Sequence, residues 1–283
     1  MIITKTRLEI GLEKPFRALH MSDNHIALAD NRDDERKIKL AESRTAAFNH
    51  GKPGNVAMEE YALQLDYARS HRLPVLYTGD LCDFVSYKNL DYARDTLKDI
   101  DYFMAVGNHE FSLYVGEAKE DAAYRERSLA RVQACFANDI RFSARVMHGV
   151  NFVALDNSYY RVEPWQLRAL KAEVAKGLPI VLMVHTPLYS PDAYEKVLAL
   201  YHGKPPVCLL SVPEELLGCY SPYRYEQQKE DAATHEAYAY ILGEPAIRLV
   251  LAGHIHEDAD TMLNGRLPQL ITGIGTARRI RFA

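Results

Sequence analysis

The chain has 283 residues, of which 48% are hydrophobic and 25% are charged, a composition typical of a globular protein with a sizeable core. The formal net charge of −4 argues against a nucleic-acid-binding protein, and we interpret Arg278, Arg279 and Arg281 as a solvent-exposed basic face. No apolar run approaches the roughly 18 residues of a membrane span, so no membrane partner is expected.

The cysteines and the N-terminal residues both indicate a reducing compartment. The cysteines show neither CxxC spacing nor the density of a disulfide framework, so they are interpreted as buried thiols: Cys82, Cys135, Cys208 and Cys219. Polar residues interrupt the apolar stretch within the first few positions, so no signal-peptide core is present. We therefore expect a cytoplasmic protein.

The first half of the chain predicts strands that alternate with helices. Residues 16–21 form the first predicted strand, and the polar segment 29–57 is interpreted as a helix plus a loop. In residues 58–70 the apolar side chains of Tyr61, Leu65 and Ala68 follow a helical period. The further elements predicted in this half are a buried strand at 74–78, a helix at 90–100 and a strand at 102–106. Strands separated by helices pair in parallel, so their C-terminal ends are expected to meet at one sheet edge.

The second half predicts a second group of strands. Segments 140–147 and 151–156 suit an antiparallel pair, and Pro164 suits the first turn of a helix. The further predicted strands are 180–184, 246–252, and the hairpin strands 261–263 and 267–272 around Asn264 and Gly265. Segment 186–234 contains six prolines and many tyrosines, and predicts loops and short helices. We expect one domain over 1–283, with 29–57 and 186–234 as insertions that shape the substrate site.

Five segments place metal-type ligands directly after predicted strands. Each has an ordinary alternative, because a histidine after a strand is often only hydrogen-bonded and an aspartate after glycine is often only a turn residue. Five such segments in one chain, with mixed nitrogen and oxygen donors, instead indicate a dinuclear transition-metal site, with Mn, Fe and Zn all suitable. The segments are Asp23-Asn24-His25, Gly79-Asp80-Leu81-Cys82-Asp83, Gly107-Asn108-His109-Glu110, His185 and Gly253-His254-Ile255-His256.

The order of these segments resembles the calcineurin-like metallophosphoesterase superfamily over residues 16–275, with all five blocks intact. The resemblance implies an α/β fold, a four-layer αββα sandwich in which two mixed sheets pack together between helices. It also implies a metal pair with one carboxylate, Asp80, shared by both ions. The remaining ligands that it implies are Asp23, His25 and His256 for one ion, and Asn108, His185 and His254 for the other.

The chemistry of such a site suits the hydrolysis of a phosphate ester. Two cations roughly 3.5–4 Å apart need a shared anion, and they lower the pKa of a bridging water so that hydroxide attacks phosphorus. His109 is predicted to be the general acid that protonates the leaving alkoxide, with Asp23 holding its imidazole. Asp83 is predicted to orient a ligand histidine or its loop, and a solvated turn residue is the alternative.

Two branches of the superfamily are disfavoured by specific positions. The arginines of serine/threonine protein phosphatases are missing, because Phe84, Val85 and Val106 occupy their places. Asp83 stands where purple acid phosphatases have a tyrosine ligand. The chain is most similar to bacterial phosphoesterases, including the phosphodiesterase-like members, so the expected substrate is a small phosphorylated metabolite or a nucleotide-type phosphodiester.

Substrate contacts are expected from the variable segments. Tyr189, Tyr223 and Arg224 are candidates for stacking on a base or pairing with phosphate, and a tyrosine-rich loop that packs on itself is the alternative. Two other functions stay open at this stage. One is a nuclease acting on DNA or RNA, against which the acidic balance counts. The other is a non-catalytic metal-binding scaffold with the same fold.

Overall fold

The β-strands of the described residues form two mixed sheets. The computed structural model describes residues 1–115, 121–202 and 209–283. Its strands are β1 (Ile2–Leu8), β2 (Phe16–Met21), β3 (Val75–Tyr77), β4 (Tyr102–Met104), β5 (Phe142–Met147), β6 (Val150–Leu155), β7 (Ile180–Met183), β8 (Ile247–Ala252), β9 (Ala259–Leu263), β10 (Leu267–Ile271) and β11 (Thr276–Phe282). The strand order is β1-β11-β2-β3-β4 in the first sheet and β5-β6-β7-β8-β10-β9 in the second.

The helices of the described residues connect these strands. They are α1 (Glu35–Asn49), α2 (Val56–His71), α3 (Tyr87–Leu97), α4 (Ala122–Glu126), α5 (Leu129–Gln133), α6 (Pro164–Val174), α7 (Pro191–Leu200), α8 (Pro222–Gln228) and α9 (Ala232–Gly243). Asp34, Asn55 and Ser86 begin the first three helices, and the side chain of each accepts a backbone N–H of the first turn. These caps satisfy donors that a helix start otherwise leaves without a partner.

The apolar residues define four layers, as the resemblance implies. Along β7, Ile180 and Leu182 pack with helices α6, α7 and α9, while Val181 and Met183 face the other sheet. In the first sheet Leu19 packs against α2 and α3, and its neighbour Ala18 faces the second sheet. Both faces of each sheet are therefore covered, which is why the inner strands are nearly continuous apolar runs.

The C-terminal ends of five parallel strands lie at one edge of this sandwich. β2, β3 and β4 pair in parallel in the first sheet, and β7 and β8 pair in parallel in the second. Each of these strands ends two to four residues before a metal-type side chain. The side chains that follow them are Asp23, Asp80, Asn108, His185 and His254, in that order.

Most of the predicted elements are confirmed, within a few residues at their ends. The antiparallel pair is β5 and β6, and the predicted hairpin at Asn264 is β9 and β10. Segment 29–57 contains α1 and a loop, as predicted. Segment 186–234 contains α7, α8 and the first turn of α9 as well as loops.

The interpretation of the C-terminal arginines is wrong. These residues lie on β11, which pairs with β1 on one side and β2 on the other. Arg278 is 5% exposed, and its guanidinium donates to Thr6 Oγ1 at 3.0 Å and lies 2.8 Å from the Asp260 carboxylate. The arginines concealed the strand, because they interrupt the run of its buried apolar residues, which are Ala277, Ile280 and Phe282. The partner strand β1 was not predicted either.

The thiols of Cys82 and Cys135 are buried and free of disulfide bonds, in agreement with the interpretation of the cysteines. Cys208 and the side chain of Cys219 lie outside the described residues. None of the helices in the described ranges has the length and apolar character that crossing a membrane requires.

Candidate metal centre

Two groups of three donor side chains lie next to each other at the sheet edge. In each group the ligand atoms lie within 4.8 Å of one another; the groups are Asp23, His25 and His256, and Asp80, His185 and His254. Asp80 Oδ2 lies 3.1 Å from His185 Nε2 and 3.6 Å from His25 Nε2. Asp80 thus stands between the two groups, the position that a carboxylate shared by two cations needs.

Asn108 lies on a loop that is hydrogen-bonded to the Asp80 carboxylate. It is buried on the loop between β4 and a single 3₁₀ turn, His109–Phe111. The backbone N–H of His109 donates to Asp80 Oδ1 at 2.9 Å, which joins the loop after β4 to the loop after β3. The structure therefore brings all seven predicted ligand residues to the same edge of the two sheets.

The ligand loops have an unusual backbone. A left-handed conformation occurs at five of the ligand residues: φ is 55° at Asp23, 49° at His25, 58° at Asp80, 72° at His254 and 61° at His256. Residues with a Cβ disfavour this region, and they occupy it mainly at functional sites where neighbouring contacts hold them. Such contacts are present, because Asp23 N donates to Gly79 O and His25 N donates to Asp80 O, both at 2.9 Å. The loops therefore support one another.

Glycine at position 107 allows a close approach between two of these loops. A Cβ on Gly107 would lie 2.7 Å from the backbone nitrogen of Asp80 and 2.8 Å from its Cγ. Both distances are shorter than van der Waals contact, so a side chain here would displace the Asp80 carboxylate. The Gly-Asn-His segment is thus a packing requirement as well as a source of donors.

Glu110 holds the same two loops together through hydrogen bonds to their backbones. Its Oε2 accepts the backbone N–H of Asp80 and of Gly107, both at 2.8 Å, and its Oε1 accepts that of Cys82 at 2.9 Å. Burial and then the charge of Asp80 raise the pKa of Glu110. A role for Glu110 was not predicted from the sequence, in which its position directly after His109 is the one signal.

Glu110→Gln is expected to lower the free energy of unfolding by about 2 kcal/mol, because the amide NH₂ would face a backbone N–H that the carboxylate now accepts. Urea denaturation in EDTA measures this change without any contribution from bound metal. Glu13→Gln, at an exposed position, is the matched control. A loss no larger than that of the control would show that Glu110 does not hold the loops.

Asp83 lies between two histidines and an arginine. Its Oδ1 is 2.9 Å from His25 Nδ1 and 3.2 Å from His109 Nδ1, and its backbone oxygen is 2.8 Å from His109 Nδ1. Arg44 of α1 donates through Nε to Oδ2 at 2.6 Å and through Nη2 to Oδ1 at 2.9 Å. Asp83 is therefore buried among these side chains, and the alternative of a solvated turn residue is excluded.

The pairing predicted between Asp23 and His109 is wrong, because the carboxylate that contacts His109 is Asp83. Asp23 Oδ1 instead lies 3.7 Å from His25 Nε2 and 3.8 Å from His256 Nε2. Its two oxygens accept the backbone N–H of His254 at 3.0 and 2.9 Å. The physical reason is strand order: β3 and β4 are neighbours, so the loop that carries Asp83 lies directly against the loop that carries His109.

Helix α1 also lies against the site. The ring of Phe48 stacks on His25 with centroids 5.0 Å apart and an interplanar angle of 22°, and the Arg44 guanidinium lies over the Phe48 ring, 4.8 Å from its centroid. Segment 29–57 thus supplies two side chains that hold His25 and Asp83. Sequence reasoning missed both, and the one signal was an arginine and a phenylalanine one helical turn apart.

The charges at this edge favour cations. Burial by itself would lower the pKa of His185 and His109, but the charge of Asp80, joined at His109 by Asp83, raises these pKa values to about 9 and about 10. Burial, followed by a neighbouring imidazole, lowers the pKa of His254 to about 3 and that of His256 to about 4. The carboxylates therefore attract positive charge, while two histidines stay in the neutral form that binds metals.

The donor set fits a pair of transition-metal ions. Within the described part of the chain, His25 Nε2 and Asp80 Oδ2 are buried and have no hydrogen-bond partner. Buried polar atoms of this kind are costly, and a cation that both atoms face would remove the cost. The full set contains two carboxylates, four imidazoles and one amide, donors that suit Mn, Fe and Zn. Its members are Asp23, His25, Asp80, Asn108, His185, His254 and His256.

The residues predicted to contact substrate lie just before α7 and in α8. Tyr223 and Tyr159 line a cavity of about 480 Å³ whose other walls include Arg125, Arg161 and Asp231. Tyr159 precedes Tyr160, whose hydroxyl lies 2.7 Å from His254 Nε2. Tyr189 packs against Tyr194, with ring centroids 6.1 Å apart. Arg224 lies over the Tyr223 ring at 5.6 Å, and a role of these residues in substrate binding stays a prediction.

Comparison with solved structures finds similar chain folds at low identity. A dimetal phosphatase from Danio rerio is 14% identical with a TM-score of 0.49, and the match covers 92% of this chain and 88% of that one. A phosphopantetheinyl hydrolase from Mycobacterium tuberculosis is 12% identical with a TM-score of 0.42, covering 96% and 90%. A 5'-nucleotidase from Candida albicans is 13% identical with a TM-score of 0.41, covering 92% and 45%. The comparison with curated proteins found no match.

One protein-family profile matches most of the sequence. The profile described as calcineurin-like phosphoesterase matches residues 16–258. This range begins with β2 and ends just after His256, so it contains all five ligand loops and the strands β2 to β8. The chain therefore belongs to the calcineurin-like phosphoesterase family of metal-dependent phosphoester hydrolases.

Proposed function

We propose that this protein hydrolyses small phosphorylated metabolites or nucleotide-type phosphodiesters at a dinuclear metal centre. The observation that carries the proposal is the position of Asp80 Oδ2 between the two donor groups, with His25 Nε2 at 3.6 Å and His185 Nε2 at 3.1 Å. Around that atom the chain supplies a full set of ligands for two ions and one additional histidine, His109. Manganese, iron and zinc all suit these donors.

The ligand side chains would divide between the two ions as follows. Asp23, His25 and His256 would hold one ion, Asn108, His185 and His254 would hold the other, and Asp80 would serve both. When bound, the metal pair supplies a nucleophile from water and neutralises charge on the phosphoryl oxygens. The net positive charge of the loaded site also attracts the phosphate group.

His109 would protonate the leaving oxygen. Its Nδ1 lies 2.8 Å from the backbone oxygen of Asp83 and 3.2 Å from the carboxylate, so Nε2 is the nitrogen left for the substrate. Asp83 fixes the ring in this orientation, and Arg44 fixes Asp83 in turn. A proton donor in the correct position is needed most when the leaving alkoxide is strongly basic.

The remaining parts of the proposal concern substrate and compartment. Tyr223 on the wall of the 480 Å³ cavity is a candidate for contact with the alcohol portion of the substrate, and we keep Tyr189 and Arg224 as further candidates. The two buried thiols without disulfides favour a reducing compartment, in keeping with a cytoplasmic enzyme. The net charge of −4 does not favour a nucleic-acid substrate.

The test is turnover by the purified protein after removal of metal and reloading with Mn²⁺, Fe²⁺ or Zn²⁺. The substrates are p-nitrophenyl phosphate, its bis-ester and a panel of nucleotides and cyclic nucleotides, each assayed with and without EDTA. We expect metal-dependent release of product from at least one of them. Two bound ions without turnover of any substrate would favour the non-catalytic scaffold, and turnover of oligonucleotides alone would favour the nuclease.

A further inference from the structure

One ligand histidine has a buried tyrosine on its outer side. The hydroxyl of Tyr160 lies 2.7 Å from His254 Nε2, and the two rings meet at an interplanar angle of 70°. The other ring nitrogen of His254, Nδ1, faces inward and lies 3.1 Å from His185 Nε2. The inner nitrogen therefore belongs to the donor group of Asp80 and His185, and the tyrosine occupies the opposite side of the ring.

This tyrosine ends a turn that also holds the neighbouring ligand. Within the turn formed by residues 156–160, Asn157 Oδ1 accepts the backbone N–H of His185 at 3.1 Å and that of Thr186 at 3.0 Å. Asn157 Nδ2 donates to the backbone oxygen of Thr186 at 2.7 Å. The same turn thus contacts His185 through its backbone and His254 through its ring.

Several contacts fix the conformation of this 156–160 turn. Asp156 Oδ1 accepts both the backbone N–H of Ser158 at 3.0 Å and its hydroxyl at 2.6 Å. Tyr160 has a left-handed backbone with φ 59°, its N–H donates to Asn157 O at 3.0 Å, and its side chain is 3% exposed. Arg161 Nη1 donates to the Tyr160 carbonyl at 2.8 Å. A strained, buried turn of this kind holds the hydroxyl in one place.

The chemistry of imidazole decides which of the two groups, His254 or Tyr160, donates the hydrogen bond. A neutral histidine carries a proton on one nitrogen and a lone pair on the other, so a ligand that binds metal through Nδ1 must carry its proton on Nε2. The oxygen of Tyr160 is in position to accept that proton in a hydrogen bond. Partners of this type typically change metal affinity by about 10- to 100-fold.

We propose that Tyr160 is a positioning residue for His254 and that it sets the affinity of one ion only, the ion held by Asp80, His185 and His254. The proposal depends on the dinuclear centre of the proposed function. The other ion has a different support, because His25 Nδ1 contacts Asp83, which Arg44 holds. Each ion then has its own set of supporting residues.

The experiment compares metal binding by three variants of the full chain. Metal-free protein is titrated with Mn²⁺ in a calorimeter, without substrate, and the wild type is expected to show two binding events. In Tyr160→Phe one event is expected to weaken by about 10- to 100-fold while the other is unchanged. In Asp83→Asn the opposite event is expected to weaken. Activity of Tyr160→Phe is expected to approach that of the wild type when Mn²⁺ is saturating.

Tyr238→Phe is the matched control, since it also removes one tyrosine hydroxyl, which donates to the Tyr189 carbonyl at 2.8 Å. It is expected to leave both events unchanged. Unchanged binding in Tyr160→Phe would overturn the proposal, and so would equal weakening of both events, which a general loss of structure produces. A wild type that binds no metal pair would instead contradict the dinuclear centre itself, so the two failures are distinguishable.

Discussion

Asp80→Asn is expected to reduce kcat/KM by roughly 10³-fold, because a bound metal contributes several kcal/mol of charge stabilisation and each 1.4 kcal/mol is worth tenfold in rate. Asparagine has nearly the same shape but removes a negative charge that faces both donor groups. The affected atom is Oδ2, which lies 3.1 Å from His185 Nε2 and 3.6 Å from His25 Nε2. We therefore expect the variant to retain fewer than two metal ions.

Asp83→Asn is the matched control for this prediction. It makes the same chemical change in the same loop, but the histidines that Asp83 contacts are His25 and His109, whereas Asp80 contacts His185 as well as His25. Activity is expected to fall less than in Asp80→Asn, with both ions present at saturating metal. The measurements are kcat/KM and metal content by elemental analysis. Equal losses of activity and of metal in the two variants would show that Asp80 is not shared between the ions.

The convergence of the ligand loops was predictable from the chain alone. Apolar strands separated by helices place their C-terminal ends at one sheet edge, and the polar residues after β2, β3 and β4 follow from that rule. The same rule applies to His185 and His254 in the second sheet. The packing of the two sheets against each other came from the resemblance, because no local pattern specifies which faces of two sheets meet.

The supporting side chains were much harder to predict. Arg44 lies 39 residues from Asp83 and Tyr160 lies 94 residues from His254. Neither contact follows from helical or strand periodicity, because it depends on how α1 and the 156–160 turn pack against the sheet edge. The choice between Asp23 and Asp83 as the partner of His109 failed for the same reason: both aspartates follow strands, and only the order of neighbouring strands separates them.

The two strands that were not predicted, β1 and β11, show a different limit of prediction from the sequence. Strand β11 carries Arg278, Arg279 and Arg281, and charged residues normally indicate exposure. Here Arg278 is buried beside the Asp260 carboxylate, and Arg279 reaches the hydroxyl of Tyr67 on α2 at 3.1 Å. Partners that are distant in sequence thus allow these charged residues to lie in a strand inside the sheet, which their charge alone does not indicate. β1 then pairs with β11 in parallel although all of its residues are at least partly exposed.

His109→Ala is expected to slow turnover of an alkyl phosphate by about 10²- to 10⁴-fold while leaving metal content unchanged. The reason is that His109 lies beside the ligands without belonging to either of the two main donor groups. Its ring contacts Asp83 through Nδ1, which leaves Nε2 to give a proton to the departing oxygen. At neutral pH the ring is charged in the metal-free protein, since Asp80 and Asp83 raise its pKa to about 10 against the effect of burial.

Substrates with different leaving groups test whether His109 acts as a proton donor or has another role. p-Nitrophenolate departs without a proton, so His109→Ala is expected to lose far less activity on p-nitrophenyl phosphate than on an alkyl phosphate. His235→Ala, at an exposed histidine that contacts Glu230, is the control and is expected to match the wild type on both substrates. Equal losses on the two substrates would exclude proton donation by His109. Loss of bound metal in His109→Ala would instead assign this histidine to the metal ligands, and the third donor cluster of His25, Asp83 and His109 shows where that ion would lie.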